Sequence, residues 1–379
     1  KETIGDVDFL VISERPGKVM DFFVSLPGVI KIWSKGATKS SVRMKEGFDV
    51  DLRVIPIKSY GAALQYFTGS KEHNIALRKI AIDKGLKLNE YGLFKGSKMI
   101  VAETEEEIYK ALGLSYIEPE MRENQGEIEA ALSGNLPKII GYQDIRGDLH
   151  IQTSWNGGHH SIEEMAEEAK KMGYEYLGIS EHTKFLRIEH GLDEKQLLLQ
   201  RKYIEKLNKK IRGIKILQGC EANILSDGSI DIDDKVLAQL DYVIAGVHSQ
   251  MKLPKEKMTE RIIRAMKNPN VDIISHPTGR LIQRRDEYQI DFEKILKVAK
   301  KTGTILEINS FPERLDLNDQ NIRRAKEAGV KMVINTDAHQ KEQLRYIELG
   351  IAQARRGWAG GKDIINSWPL EKMLKAFKG

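Results

Sequence analysis

Cysteine is nearly absent from this 379-residue chain: Cys220 stands alone, so no intramolecular disulfide and no cysteine-rich zinc site can form. A reducing cytoplasm is the compartment that suits such a chain. No run of about 18 apolar residues occurs, and the N-terminus lacks the basic-then-apolar pattern of a signal peptide, so nothing supports membrane spanning or export. Excess charge of one sign is also small. The 60 basic and 55 acidic residues leave a formal charge of +5, which permits contact with an anionic polymer without pointing to one. Methionine is missing from the first position, and Lys1-Glu2-Thr3 runs straight into a strand-like stretch, which reads as the start of a piece of a longer protein.

What is present fits a globular, multidomain α/β and α+β chain. Hydrophobic residues make up 41% and charged residues 30%, and the length suits two or three domains. The run DVDFLVIS from Asp6 has the apolar density of a buried strand, and FDVDLRVIP from Phe48 alternates like a half-buried one. Between them, Pro16 to Leu26 predicts a helix opened by proline, with an apolar face at Val19, Phe22 and Phe23. From Ala62 to Leu114 short helices, including Glu72 to Lys84, alternate with turns and hairpin-like material. The stretch from Ser115 to Gln143 reads as a linker with one short helix. After Ile145 an apolar strand followed by an amphipathic helix recurs: YLGIS, KILQG, YVIAGV, DIIS, TILEIN and KMVIN are the strands. That alternation predicts parallel strands with crossover helices, in one domain of barrel size. The expected boundaries are 1–60, 61–118, 119–143 and 144–379.

Each of these strands is followed by residues that bind metals. Asp148 and His150 follow the first, Glu181 and His182 the next, then Glu221, His248 and His276, and finally Asp337 with His339. Five of the nine histidines therefore occupy equivalent places. In a parallel α/β fold the carboxyl ends of the strands converge on one face, so ligands distant in sequence become neighbours. Imidazoles and carboxylates together suit Zn²⁺, Mn²⁺ or Fe²⁺, and a shared carboxylate can hold two ions for phosphoester hydrolysis. His73, His159, His160 and His190 fall outside the pattern and read as surface or loop residues.

The segments DLHIQT, SEHT, GCEANI, GVHS, SHP and TDAH, in this order, resemble the motifs of the PHP (polymerase and histidinol phosphatase) superfamily. The resemblance implies a distorted (β/α)7 barrel with phosphoesterase or 3′-to-5′ exonuclease activity. It also implies His150, His182, Glu221, His248, His276, Asp337 and His339 as ligands of up to three divalent ions. The chain departs from the family pattern in three places. Gln152 stands where a second histidine is usual, Gly157 stands near the place of an acid, and Glu181 replaces an aspartate. At least one metal position is expected to be weakened, because an amide is a poor substitute for imidazole and glycine supplies no ligand. Arg280, Arg284 and Arg285 follow His276 closely enough to be candidates for steadying a phosphate.

Near the start, Asp6 and Asp8 are two apart on a strand and share a face, and Asp51 on the later strand can join them. Three such acids are what two Mg²⁺ ions need to organise a triphosphate and a 3′-hydroxyl. GDVDFLV and VDLRVIP resemble the palm motifs of family X DNA polymerases, and YFTGSKEHNIALR resembles the start of their thumb. That resemblance makes 1–60 a partial nucleotidyltransferase palm and 61–118 a thumb. Asp6 and Asp8 become shared metal ligands, Asp51 the acid nearest the primer hydroxyl, and Arg53 a residue that orients one of them. Tyr66, Phe67 and Gly69 would pack against the incoming sugar, with Asn74 and Arg78 facing the minor-groove edge of the nascent pair.

The expectation is therefore a repair-type, gap-filling DNA polymerase whose partners are gapped or primer-template DNA, dNTP and divalent metals, with no membrane. Two alternatives stand beside it: a histidinol-phosphatase-like phosphoesterase acting alone, and a non-catalytic DNA-binding scaffold with a decayed metal site. The family's Gly-Ser motif and its basic residue for the triphosphate precede GDVD, so this stretch alone should bind nucleotide poorly. Primer extension by the 379-residue chain should be far slower than by a chain extended upstream; equal rates would refute this.

Overall fold

The computed structural model describes residues 2–378; Lys1 and Gly379, at the outer ends of the expected domains, lie outside the described residues. The chain divides into two compact units, Lys1–Leu136 and Pro137–Gly379.

In the first unit, strands β1 (Asp6–Ile12), β2 (Val29–Lys35), β3 (Lys39–Met44) and β4 (Asp49–Ile55) form one sheet in the order β1-β4-β3-β2. β1 runs parallel to β4, and the other neighbours are antiparallel. The helix Pro16–Val24 begins at its proline, whose missing N–H costs nothing in a first turn, and covers the sheet with Met20 and Phe23. Phe22, expected on that face, is instead exposed: a helical turn of 3.6 residues places Val19, Met20 and Phe23 on one side and turns Phe22 away. Helices Tyr60–Thr68 and Lys71–Asp83 follow, the second capped by Ser70 accepting from His73 N. A small antiparallel sheet of β5 (Lys87–Asn89), β6 (Gly92–Lys95) and β7 (Lys98–Val101) comes next, then helices Glu105–Ala111 and Glu127–Leu132.

The second unit holds eight strands, all parallel to their neighbours. β8 (Gly147–Ile151), β9 (Tyr176–Ile179) and β10 (Lys215–Gln218) make one sheet. β11 (Glu221–Asn223), β12 (Ile244–Gly246), β13 (Ile273–Ile274), β14 (Ile305–Asn309) and β15 (Met332–Asn335) make the other. Only Gly219 and Cys220 separate β10 from β11, and Gly219 N and Glu221 N donate to Ile179 O and Glu181 O in turn. Counted as one interrupted strand, β10 and β11 bring the series to seven. Single bridges, His182 to Glu221 and Ile151 to Ala338, join the sheets at both ends, so the strands return on themselves without a continuous ladder.

Local chemistry sets the crossover helices. Ile162–Lys171 and Glu194–Lys210 both open on capping boxes, from Ser161 with Glu164 and from Asp193 with Gln196. Asp291 and Asn318 cap Phe292–Thr302 and Asp319–Ala328, and both helices end at a left-handed glycine, Gly303 and Gly329. The helices bury their apolar stripes in one large core shared with the outward faces of the strands. A second cluster, with Leu149, Tyr176, Leu217, Tyr242, Ile244, Ile273, Ile305 and Val333, fills the interior of the strand series. No helix among the described residues is long and apolar enough to cross a membrane.

His73 is not the surface or loop residue expected. It is fully buried, with Nδ1 2.6 Å from Glu127 Oε1 and Nε2 2.9 Å from the Tyr109 hydroxyl. Glu127 also accepts from Asn124 N and Gln125 N at 2.7 Å each, so this buried trio ties three segments of the first unit together. Replacing His73 with alanine strands a buried carboxylate. The expected cost is about 3–5 kcal/mol, read as a lower denaturant midpoint for the first unit with the second unit's transition unmoved.

Candidate functional site

Residues at or just beyond the carboxyl ends of the parallel strands converge on a single carboxylate. Glu221, fully buried, has its Oε2 3.1 Å from His150 Nε2 and 2.8 Å from His182 Nδ1. Its Oε1 lies 3.1 Å from His248 Nε2, 3.0 Å from His276 Nε2 and 3.0 Å from Ser275 Oγ. Asp337 Oδ1 approaches His150 Nε2 at 3.4 Å. Two groups of three could hold a metal ion, their donor atoms all within 4.8 Å of one another: His182, Glu221, His248 and His150, Glu221, Asp337. Glu221 belongs to both, the position of a bridging carboxylate.

The imidazoles are held for ligation. His150 Nδ1 is 2.7 Å from Glu307 Oε1, His248 Nδ1 is 2.8 Å from Asn223 Oδ1, and His339 Nδ1 is 2.9 Å from the Asp337 carbonyl. With a cation bound, the nitrogen facing Glu307, Asn223 or the Asp337 carbonyl would keep its proton and Nε2 would be the coordinating atom. His150 Nε2, His182 Nδ1 and His276 Nδ1 are buried with no hydrogen-bond partner among the described residues, although the first two lie close to Glu221. His150 Nε2 and His182 Nδ1 are near the carboxylate but not aimed along a hydrogen bond to it. Orphaned nitrogens beside a shared carboxylate fit a metal centre. His276 and Asp337 have φ of 27° and 56°, a left-handed backbone that costs a non-glycine residue about 1–3 kcal/mol and is tolerated where geometry at a site demands it.

The charges are mutually dependent. Burial alone would raise Glu221, but His150, His182 and His248 hold it well below the usual carboxylate range. Burial would lower His150, yet Glu221, Asp337 and Glu307 hold it well above its ordinary value. His276 behaves oppositely, pushed down to about 4 by burial and the nearby Arg314 guanidinium. Asp337 is drawn to about 2, because the attraction of His150 outweighs its burial.

Several strand-end residues take structural roles instead. Asp148 accepts from His150 N, Thr336 N and the Thr336 hydroxyl, tying β8 to β15, and burial pushes it up to about 6. Glu181, pushed up to about 7 by burial, accepts from Thr153 N and the Thr153 hydroxyl and from Gln200 Nε2. Gln152 donates through Nε2 to Ser180 O at 2.8 Å and accepts from His182 N at 3.1 Å, so its amide braces the chain and turns a donor toward Glu221, 3.4 Å away. The three arginines after His276 do not stand free for a phosphate: Arg280 binds the Arg314 and Leu315 carbonyls, Arg285 the Gly279 carbonyl, and Arg284 Glu313. The consecutive carbonyls of residues 314 and 315 capture Arg280. The cation near the cluster is Arg314, whose Nε is 3.5 Å from Asp337 Oδ2. Sequence reasoning missed Arg314, Glu307, Asn223 and Asn309; the last donates to Glu307 at 3.2 Å and to Asp337 at 3.1 Å. The available signal was a glutamate and an asparagine inside the otherwise apolar strand ILEIN.

In the first unit, the parallel register sets Asp8 opposite Asp51 and Asp6 opposite Asp49, so the three expected acids share a face with a fourth. Asp49 is engaged by Arg43 Nε at 2.7 Å and Trp33 Nε1 at 2.8 Å, and Asp51 by Lys39 Nζ at 2.8 Å. Partial burial and the charges of Asp51 and Asp6 raise Asp8, whereas the hydrogen bonds from Lys39 and Ser41 lower Asp51 against its burial. These acids do not form a close three-donor group among the described residues. Arg53 pairs with Glu90 at 3.5 Å and lies over the Phe67 ring at 5.2 Å, rather than on one of the three acids. Tyr66 and Phe67 pack edge to face at the end of their helix, just before Gly69, where a Cβ would crowd Asn74 Oδ1 at 3.1 Å. Asn74 does not face outward as expected. It is buried, donates to Tyr66 O at 2.7 Å and accepts from Gln65 Nε2 at 2.8 Å, so it positions Tyr66; Arg78 on the same helix is exposed.

Fold and site together define a two-unit protein with a mixed sheet bearing paired acids and a parallel α/β unit carrying a candidate metal centre. The family model for the DNA polymerase beta thumb matches residues 63–123, and that for the PHP domain matches residues 148–311. The DNA polymerase/3′-5′ exonuclease PolX of Bacillus subtilis (strain 168) is 39% identical over 381 residues, covering 100% of this chain; the chain spans 66% of that relative's length. A probable phosphatase of Thermoanaerobacter sp. (strain X514) is 36% identical over 204 residues, 51% of this chain and 78% of that protein. A solved structure of Leishmania infantum polymerase beta, a ternary P/T complex, covers 32% of this chain and 62% of its own at 27% identity, with a TM-score of 0.28. The chain belongs to the family X DNA polymerases that carry a C-terminal PHP domain.

Glu307 supports His150 without reaching a cation position of its own. Glu307→Gln should therefore keep the fold and weaken metal binding by roughly 10–100-fold, as loss of a supporting partner does, measured by titration with a chelator competing for the ion.

Proposed function

We propose that this chain serves a repair-type DNA polymerase in which residues 144–379 form a metal-dependent 3′-to-5′ exonuclease or phosphoesterase. On this reading 1–60 is a partial palm, 61–118 a thumb and 119–143 the linker. The observation that carries the hydrolase half is the buried Glu221 carboxylate shared by four imidazoles, three of which keep a nitrogen without a hydrogen-bond partner among the described residues. His150, His182, Glu221, His248, His276, Asp337 and His339 are the proposed ligands. The all-nitrogen-and-oxygen donor set favours Zn²⁺, Mn²⁺ or Fe²⁺. Cations held there would supply Lewis-acid activation of a phosphoester. Arg314, beside Asp337, is placed to meet the negative charge of a phosphate.

The polymerase half is supported by the register of Asp8 with Asp51 and by the acids sharing one face. Asp6, Asp8 and Asp51 are the proposed Mg²⁺ ligands for nucleotidyl transfer, with dNTP and gapped or primer-template DNA as partners. Tyr66, Phe67 and Gly69 would contact the nucleotide sugar, with Asn74 bracing Tyr66, Arg78 reaching toward DNA and Arg53 steadying this side through Glu90. A reducing cytoplasm suits the buried thiol of Cys220. The second reading, a phosphatase of small esters, draws on the relatives named as probable phosphatases, which match only 51% of the chain. The scaffold reading draws on Gln152, which donates a hydrogen bond where a ligand is usual.

Elemental analysis paired with Mn²⁺-dependent digestion of a 3′-ended DNA strand separates these readings. The wild-type chain should retain divalent ions and shorten the strand, and His248→Ala should lose both the ions and most of the digestion. Hydrolysis of a small phosphomonoester with DNA left intact would favour the phosphatase; no retained ion and no hydrolysis would favour the scaffold.

A further inference from the structure

The loop that leaves His182 carries two large apolar side chains into solvent. Phe185 is 45% exposed and Ile188 87% exposed, and Arg187 stands exposed between them. Apolar residues scattered singly over a surface need no explanation. Two of them flanking a cation, on a short loop that begins at a proposed metal ligand, call for one. Lys184 is paired with Glu194 at 2.6 Å, which leaves Arg187 as the cation beside the two apolar groups.

The root of this loop is fixed to the metal centre. The Thr183 hydroxyl donates to Asp231 Oδ1 at 2.8 Å, and Phe185 N donates to Asp231 Oδ2 at 3.0 Å. Asp231 is buried and also accepts from Asn223 N at 2.8 Å and from Asn223 Nδ2 at 3.0 Å. Asn223 Oδ1 lies in turn 2.8 Å from His248 Nδ1. One asparagine and one aspartate therefore connect the His248 imidazole to the backbone of Phe185.

The other end of the loop returns to its start. Leu192 N donates to His182 O at 2.8 Å, and Gly191 lies so close to the Thr183 carbonyl that no Cβ fits between them. The loop also rests on the one that follows β8, where a Cβ on Gly157 would come within 2.6 Å of Glu189 Oε2. Held at both ends, Phe185 has a set position relative to the cluster. Three residues of chain reach at most about 11 Å, and His182 Nδ1 is 2.8 Å from Glu221 Oε2, so the loop stands beside any strand that presents a phosphate to Glu221 and its imidazoles.

We propose that the loop from Thr183 to Gly191 is a contact for single-stranded DNA, in which Phe185 stacks on a base of the strand whose 3′ end enters the metal centre and Arg187 meets a backbone phosphate. The inference rests on the hydrolase reading above and names the residues that make a polynucleotide a better substrate than a small ester. Stacking on an aromatic ring accepts every base, because each has a π-face, which is what trimming of an arbitrary sequence requires. A guanidinium next to the ring adds attraction to the phosphates without reading the base. Ile188 widens the apolar edge on which the strand lies.

The test is steady-state digestion of a single-stranded oligonucleotide by the full chain with Mn²⁺, alongside the number of ions retained per chain. Phe185→Ala should raise KM roughly tenfold or more with the wild-type number of ions retained, and Phe185→Trp should keep KM near the wild-type value. Arg187→Gln should flatten the dependence of log KM on log salt concentration by about 0.7, the share of one phosphate contact on a single strand. A KM unmoved by Phe185→Ala overturns the proposal. So does a rise that Phe185→Trp shares, or one that comes with loss of ions, since either marks Phe185 as a structural residue. An unchanged salt slope in Arg187→Gln overturns the phosphate contact. Each of these failures leaves the hydrolase reading standing, whereas a wild-type chain that retains ions and cleaves a small phosphomonoester but shortens no strand overturns the exonuclease reading and this contact together.

Discussion

A fully buried carboxylate must be compensated where it stands, and Glu221 meets imidazoles on every side instead of a lysine or arginine. Burying an unpaired charge costs several kcal/mol, so the second unit is built to bring compensation from strands far apart in sequence. Without cations, protons on the imidazoles fill that role, which is why His150 and His182 are drawn upward and Glu221 downward. With cations, the same nitrogens release protons and coordinate. The parallel topology follows from this need, because only the common carboxyl end of the strands gathers such residues without long loops. Glu307 and Asn223 then fix which nitrogen of His150 and His248 faces the carboxylate.

Much of this was legible in the sequence, for reasons that can be named. β-strand runs such as YLGIS and KMVIN are short, apolar and bounded by polar residues, and the helices between them carry side-chain caps at Ser161, Asp193, Asp291 and Asn318. Ligands at strand ends stand out because polar residues directly after apolar runs are conspicuous. Glu307 and Asn309 were harder to see, since they lie within a strand that reads as core and act through neighbours. His73 gives no local sign of its burial: its partners Glu127 and Tyr109 are 54 and 36 residues away. The arginines after His276 misled for the converse reason, as a basic run looks like an anion site until the carbonyls of residues 314 and 315 are seen to hold Arg280.

The departures at Gln152 and Gly157 differ in physical kind. Gln152 is locked at both ends of its amide, to Ser180 and to His182 N, so it contributes order to the loop that carries His182 even though it offers no imidazole. Gly157 contributes space, and the space is taken by a carboxylate from elsewhere in the chain. Neither departure is therefore a simple loss: the first gives up a donor and gains order, and the second leaves room for the loop after His182 to close.

The two units handle negative charge by opposite means. Asp6 and Asp8 are exposed on an edge strand, and Asp51 is compensated by Lys39 in a partly exposed pair. Such a pair is worth at most about 1 kcal/mol, so a divalent ion can displace the lysine with little loss. An open acidic face of this kind suits Mg²⁺, which keeps several waters and is completed by substrate phosphates. Glu221, sealed among imidazoles, instead suits ions that stay between turnovers. On the proposed reading the first site gains its metal together with its nucleotide, whereas the second holds its metals as part of the folded unit, and that difference follows from burial alone.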